Sequence, residues 1–228
     1  MLYGILIELF YLSIGKYFHT LQKYEINAND GIVFGIFLVI LRQNSKNRTM
    51  GRVKLKDKVF EISISEAEIL QRIKVVAEKI SKDMEGKNPL LLAVLNGSFI
   101  FAADLMRMIT IPCEISFVKL ASYQGTTSTG VIKEVFGINE DISGRTVIIV
   151  EDIVESGLTI KRMIETLGTR NPKSIHICTL LLKPERLTVP LNIEYVAMEI
   201  PNDFIVGYGL DYNQQGRNLR DIYTVVES

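Results

Sequence analysis

Glu151 and Asp152 close an apolar run that begins at Val147, and a third carboxylate, Glu155, follows two apolar residues later. Ser156, Gly157, Leu158 and Thr159 come next and open a helical pattern. Each residue type suits part of one ligand. Backbone N–H groups and the dipole at a helix N-terminus attract a phosphate. Gly157 is expected to let the backbone approach that phosphate closely, and the Ser156 and Thr159 hydroxyls add donors. The three acids repel a phosphate and suit ribose hydroxyls or a magnesium ion. A ligand that needs both is a phosphorylated ribose carrying a metal-bound pyrophosphate.

Other polar clusters also end apolar runs. LLLAVL at 90–95 leads into Asn96-Gly97-Ser98. KLASYQGTTSTG at 119–130 is a polar, glycine-containing stretch that holds Ser122 and Tyr123. CTLLLKP at 178–184 ends an apolar run in Lys183, and EIPNDFIVGYGLDY at 199–212 carries Phe204, Ile205 and Asp211. Neither a GxxxxGK(S/T) phosphate loop nor a strand followed by GxGxxG is present, which excludes the common mononucleotide and dinucleotide motifs.

The segment 146–159, TVIIVEDIVESGLT, resembles the phosphoribosyl-pyrophosphate signature of the type I phosphoribosyltransferases. That signature is an apolar strand, two acids, two apolar residues, an acid, Thr or Ser, Gly, any residue and Thr. With the other clusters in the same order, residues 50–228 resemble the hypoxanthine(-guanine) branch of that family. The resemblance implies an α/β fold, a mostly parallel sheet flanked by helices with a small hood region. It implies pentosyl transfer in purine salvage, from phosphoribosyl pyrophosphate to hypoxanthine or guanine, with Mg2+ as cofactor. The rivals are a xanthine-selective relative and a regulator that binds phosphoribosyl pyrophosphate without catalysis.

The resemblance also assigns roles. Glu151 and Asp152 match the ribose-binding pair and, with Asp211, the metal carboxylates. Ser156, Gly157, Leu158 and Thr159 match the 5′-phosphate loop. Asn96, Gly97, Ser122, Tyr123 and Arg217 match the pyrophosphate side, where the Leu95–Asn96 bond is often cis and Ser122-Tyr123 begins a closing loop. Arg suits a pyrophosphate because its guanidinium binds oxygens in pairs. Glu155 stands where the family usually carries Asp, the acid or base at purine N7, so this chain departs by one methylene. Lys183 matches the donor to the purine 6-oxygen, which favours 6-oxopurines over adenine. Phe204 matches the ring that stacks on the base, and Ile205 would offer it backbone groups only. The plainer readings are a helix N-terminal charge for Glu155, a snorkelling surface side chain for Lys183, core packing for Phe204, and surface charges for Asp211 and Arg217.

These residues need elements to hold them. An extended segment around Val59, Ile62 and Ile64 precedes Ser65-Glu66-Ala67-Glu68, a capping box. Ile69, Leu70, Ile73, Val76, Ala77 and Ile80 then share a helical face, closed by Gly86. Strands are expected at 90–95, 114–121, 131–136, 146–151, 174–182, 193–198 and 222–226, and helices at 99–109 and 157–168. Continuous apolar strands alternating with helices predict a parallel sheet covered on both faces. Ligands bind beyond the carboxyl ends of such strands, where every cluster above falls.

Composition narrows the partners. Lys plus Arg number 26 and Asp plus Glu 26, so no basic excess points to nucleic acid or an anionic membrane. Cys113 and Cys178 form no CxxC and read as reduced thiols of a cytoplasmic protein. His19 and His176 are too far apart in the chain for a metal pair. The family is usually dimeric or tetrameric, so a homodimer or homotetramer is expected. Residues 1–49 lie outside the resemblance. Their apolar runs, 1–14 and 31–41, fall short of the roughly 20 residues of a membrane helix, and no signal-peptide pattern is present. Three readings stay open for them: a misassigned start, an amphipathic or membrane-associating extension, and a folded addition. The phosphoribosyltransferase domain is expected over 50–228.

Overall fold

The computed structural model of the protein describes residues 51–121, 133–136 and 140–227. The expectations for residues 1–49, for the 122–130 loop and for the start of the 131–136 strand lie outside these.

Strand β1 (Arg52–Leu55) turns back antiparallel onto β2 (Lys58–Ile64), which leads into helix α1 (Glu66–Asp83). Ser65 caps α1 by accepting a hydrogen bond from the Glu68 N–H at 3.3 Å, as the capping-box pattern requires. Ile69, Ile73, Val76, Ala77 and Ile80 form its buried face. Helix α1 stops at Met84, two residues before Gly86, because the Met84 N–H completes the last turn on the Ile80 carbonyl.

Strand β3 (Leu90–Leu95), helix α2 (Phe99–Met108), strands β4 (Glu114–Ala121), β5 (Lys133–Phe136) and β6 (Thr146–Val154), helix α3 (Leu158–Gly168), and strands β7 (Ser174–Leu182) and β8 (Tyr195–Glu199) follow. They build a six-stranded sheet in the order β5-β4-β3-β6-β7-β8, parallel except for the β4–β5 pair. Alternation along the central strands supplies two cores. Leu91, Ala93, Ile148 and Val150 pack with α1 and α2. Leu90, Leu92, Val147 and Ile149 pack with α3 on the other face. Residues on both faces of a strand are therefore apolar, as a doubly covered sheet demands.

Two short strands, β9 (Ile205–Val206) and β10 (Ile222–Glu227), join β1 and β2 in a second, antiparallel sheet of order β1-β2-β10-β9. The sequence reading had no strand at β1 or β9. Among the described residues no helix is long and apolar enough to cross a membrane.

Candidate active site

Strand β6 runs three residues further than its apolar run suggested. Ile153 and Val154 continue the ladder opposite Leu181 and Leu182 of β7, so Glu151 and Asp152 lie within the strand instead of at its end. Some of Glu151 remains open, but its Oε2 is buried with no hydrogen-bond partner among the described residues. Burial, and then the neighbouring charge of Asp152, raise the Glu151 carboxyl well above its usual range. Asp152 is pushed up to about 6, chiefly by burial, against the lowering pull of the Ile153 N–H and of Arg217. Buried carboxylates without compensating partners are rare. Of the two, Asp152 has the Ile153 N–H, whereas Glu151 Oε2 has no such partner among the described residues.

After Val154 the chain bends through Glu155 and Ser156 into α3. Gly157 makes the bend at φ +78°, in the left-handed region. A Cβ there would lie 2.6 Å from Leu191 Cδ1 and 3.0 Å from Val189 Cγ2. The sequence reading kept Gly157 free for a phosphate. The structure adds that the position a Cβ would take is already crowded by side chains of Leu187, Val189 and Leu191. Ser156 is held from that segment too, its carbonyl accepting from the Thr188 N–H and hydroxyl, each at 3.1 Å. A cleft of about 180 Å³ runs along this turn, lined by Glu151, Ile153, Val154, Glu155, Ser156, Gly157, Thr159 and Ile160. The first turn of α3 begins here, with the Leu158 N–H on Ser156 Oγ at 3.4 Å. Leu158 points outward and is 45% exposed.

Lys183 ends β7 and is only 5% exposed. Its Nζ donates to Glu155 Oε1 at 2.5 Å, so it is neither a surface side chain nor free. Glu155 in turn does more than charge a helix end, since it is the partner of a buried cation. Phe204 precedes β9 and is 43% exposed, which excludes a core role. Its ring meets Tyr212 edge-on at 5.6 Å and Phe60 at 6.0 Å. Ile205 is buried, and its side chain lines a different, wider hollow of about 550 Å³ between the start of α1 and the β8–β9 corner. That hollow contains none of the other candidate residues, whereas the smaller cleft is lined by Glu151, Glu155, Ser156, Gly157 and Thr159.

A second cluster forms where β3 ends. The Leu95–Asn96 peptide is cis. Gly97 is buried, and Ser98 donates to the Val94 carbonyl at 2.6 Å. A Cβ on Gly97 would overlap the Asp152 carboxylate, and a Cβ on Gly209 would overlap the Gly97 carbonyl. Asp152, Gly97 and Gly209 are thus stacked, and only glycine fits at the two backbone positions. Arg217 Nη1 donates to the Gly209 carbonyl at 2.8 Å, and its Nη2 pairs with Asp211 Oδ1 at 2.5 Å. Asp211 and Arg217 both act on Asp152 through charge, one raising and one lowering its carboxyl. Neither is a stray surface charge, since they pair with each other and act on Asp152.

Among the described residues no three acidic, histidine or cysteine side chains are grouped to hold a metal by themselves. An ion such as magnesium takes one or two carboxylates plus phosphate oxygens of a ligand. Glu151 with its unpartnered Oε2, Asp152, and Asp211, which also pairs with Arg217, are the candidate acids. Asn96 lies exposed at the β3–α2 bend. Ser122 and Tyr123 fall outside the described residues. The sequence reading missed Tyr208 and Gly209, which meet α2 and Gly97. The glycine–aromatic–glycine triplet at 207–209 was their available signal.

Residues 63–213 match the phosphoribosyl transferase domain model. The chain is 46% identical over 170 residues to a hypoxanthine phosphoribosyltransferase of Buchnera aphidicola, covering 73% of this chain and 96% of that one. It is 43% identical over 169 residues to the hypoxanthine phosphoribosyltransferase of Salmonella typhimurium, covering 73% and 95%. A crystal structure of a hypoxanthine-guanine phosphoribosyltransferase from Bacillus anthracis, with a HEPES molecule in its active site, superposes with a TM-score of 0.69. It is 44% identical, and the match covers 73% of this chain and 98% of that chain.

Proposed function

The chain belongs to the phosphoribosyltransferase family, in its hypoxanthine(-guanine) branch, and from that premise we propose how its site works in purine salvage. The reaction moves a 5-phosphoribosyl group from phosphoribosyl pyrophosphate to N9 of hypoxanthine or guanine. The C1′–O bond to pyrophosphate breaks, the N9–C1′ bond forms, and a nucleoside monophosphate leaves with pyrophosphate.

The observation that carries this reading is the turn from β6 to α3. Glu151, Glu155, Ser156 and Thr159 line one cleft at the start of α3, and Glu155 reaches Lys183. The 5′-phosphate rests on the N–H groups of Ser156 to Thr159. Glu151 and Asp152 face the ribose hydroxyls, and with Asp211 they are the acids able to hold Mg2+. When bound, that ion neutralises the pyrophosphate leaving group. Arg217 and the Asn96–Gly97 backbone bind the pyrophosphate, and Ser122 and Tyr123 complete that side. Phe204 stacks on the base, a contact contributing roughly 1–3 kcal/mol. The Ile205 backbone meets the base edge, Lys183 donates to the 6-oxygen, and Glu155 holds or takes the N7 proton. A Glu performs this with the same functional group as the family's Asp, provided it reaches hydrogen-bond distance of N7.

We place the enzyme in the cytoplasm, as a homodimer or homotetramer. Its phosphoribosyltransferase domain spans 50–228. The deciding experiment assays the full chain with phosphoribosyl pyrophosphate, Mg2+ and hypoxanthine, guanine, xanthine, adenine or uracil in turn. Turnover of hypoxanthine and guanine far above the others is expected. Preference for xanthine would reassign the substrate. Binding of phosphoribosyl pyrophosphate with no turnover of any base would make the protein a regulator.

A further inference from the structure

Tyr208 has no part in the mechanism above, yet its setting is unusual. It is 2% exposed and sits at φ +48°, a backbone region that bulky residues seldom enter. Gly207 precedes it and Gly209 follows it. The turn is tied down by Tyr208 N–H to the Leu219 carbonyl at 2.9 Å and Gly209 N–H to the Arg217 carbonyl at 3.0 Å. The side chain leaves the turn inward, and its hydroxyl donates to Asp104 Oδ2 at 2.5 Å. Asp104 lies in the middle of α2 and also receives Arg107 at 3.3 Å. Burial, and then this bond to Asp104, push the phenol above its ordinary range, so the hydroxyl keeps the proton it donates.

Helix α2 is the continuation of Asn96-Gly97-Ser98. The 207–210 turn and the β3–α2 segment therefore meet twice. Gly209 rests on the Gly97 carbonyl at the floor of the site, and Tyr208 is bonded to Asp104 within the core. One contact alone would leave a pivot, whereas two fix the relative position of the segments. Gly209 also carries Arg217 on its carbonyl, and Arg217 carries Asp211. Whatever sets the place of Gly209 sets these two as well, along with the fit of Asp152 over Gly97.

We infer that Tyr208 is a positioning residue for the pyrophosphate side of the site. Its bond to Asp104 holds the Asp152–Gly97–Gly209 stack, and through it Arg217 and Asp211, in register for the pyrophosphate group of the substrate. This rests on the proposed function. The 5′-phosphate turn and Lys183 belong to other segments, while Arg217 and Asp211 hang directly on Gly209, so the effect should fall mainly on ligands that carry pyrophosphate.

The test compares phosphoribosyl pyrophosphate with IMP, which has the 5′-phosphate and base but no pyrophosphate. Binding of each to the full chain is measured by calorimetry with Mg2+. In Tyr208→Phe the Kd for phosphoribosyl pyrophosphate should rise about tenfold, the loss of one hydrogen bond to a charged group. The Kd for IMP should stay within about twofold. Asp104→Ala should reproduce the selective loss from the other side. Asp104→Asn, which keeps an acceptor for the hydroxyl, should restore binding to within about threefold of the parent. Equal weakening of both ligands, or unchanged affinities in either folded variant, overturns the inference. A parent chain that binds neither ligand would instead overturn the proposed function.

Discussion

Replacing Asp152 with Asn should make the fold sturdier while it disables the site. Burial holds this carboxyl at about 6 against an ordinary value of 3.8. Between those values the folded chain binds more protons at this group than the unfolded chain does. Stability from Asp152 is therefore fully present below its unfolded value and is lost as pH rises through about 6. At roughly 1.4 kcal/mol per pH unit, the ionised group costs the fold about 3 kcal/mol at neutral pH. Asn carries no charge, retains an oxygen for the Ile153 N–H at 2.9 Å, and has the same shape against Gly97. It also removes the charge that helps to raise Glu151. Urea unfolding at pH 7.5 should show Asp152→Asn more stable by about 2–3 kcal/mol, with the gain vanishing by about pH 4. Affinity for phosphoribosyl pyrophosphate should fall about 10–100-fold, as expected for losing a charged hydrogen-bond partner. A variant no more stable than the parent at pH 7.5, or one whose advantage persists unchanged in acid, would refute the assignment of this cost to burial.

Glu155→Gln should lower turnover about 10²–10⁴-fold in steady-state assays while phosphoribosyl pyrophosphate still binds, and Glu155→Asp should remain active. Lys183→Ala removes the charged donor, so the KM for hypoxanthine should rise by the equivalent of about 1.5–3 kcal/mol while discrimination against adenine shrinks. Gly157→Ala forces a Cβ against Leu191 in a left-handed backbone and should lower stability by about 1–3 kcal/mol in thermal unfolding. A chain starting at Met50 should fold and retain full turnover; an insoluble or inactive product would place essential contacts before that residue.

The site was legible in the sequence wherever one stretch of chain carries both the chemistry and its support. The β6–α3 turn is such a stretch, because apolar strand, acids and small residues follow one another without interruption. The end of β6 was misjudged because Glu151 and Asp152 look like a boundary. Only the pairing of Ile153 and Val154 with β7 reveals that the ladder runs on beneath them. The crowding of Gly157 against Leu191 was not legible, since that contact is tertiary and has no local signature. Strand β1 alternates exposed basic with half-buried apolar residues at a sheet edge and β9 has two residues; neither has enough periodicity to stand out. The bond of Tyr208 to Asp104 joins residues 104 positions apart, and no pattern along the chain encodes it.

The pairing of Lys183 with Glu155 has a consequence for how a base gains entry. These two groups face the 6-oxygen and N7 in the proposed reading, and each satisfies the other. A base does not settle into a vacancy; it swaps partners with an existing bond. Hypoxanthine can repay that exchange, because its 6-oxygen accepts from the ammonium while the carboxyl turns to the ring nitrogen. Adenine presents an amino group to the ammonium, so it would sever the pair and leave a nearly buried cation with nothing to receive its proton. On that reading, rejection of the wrong purine would lie in the Lys183–Glu155 pair, an interaction that only the right purine can replace.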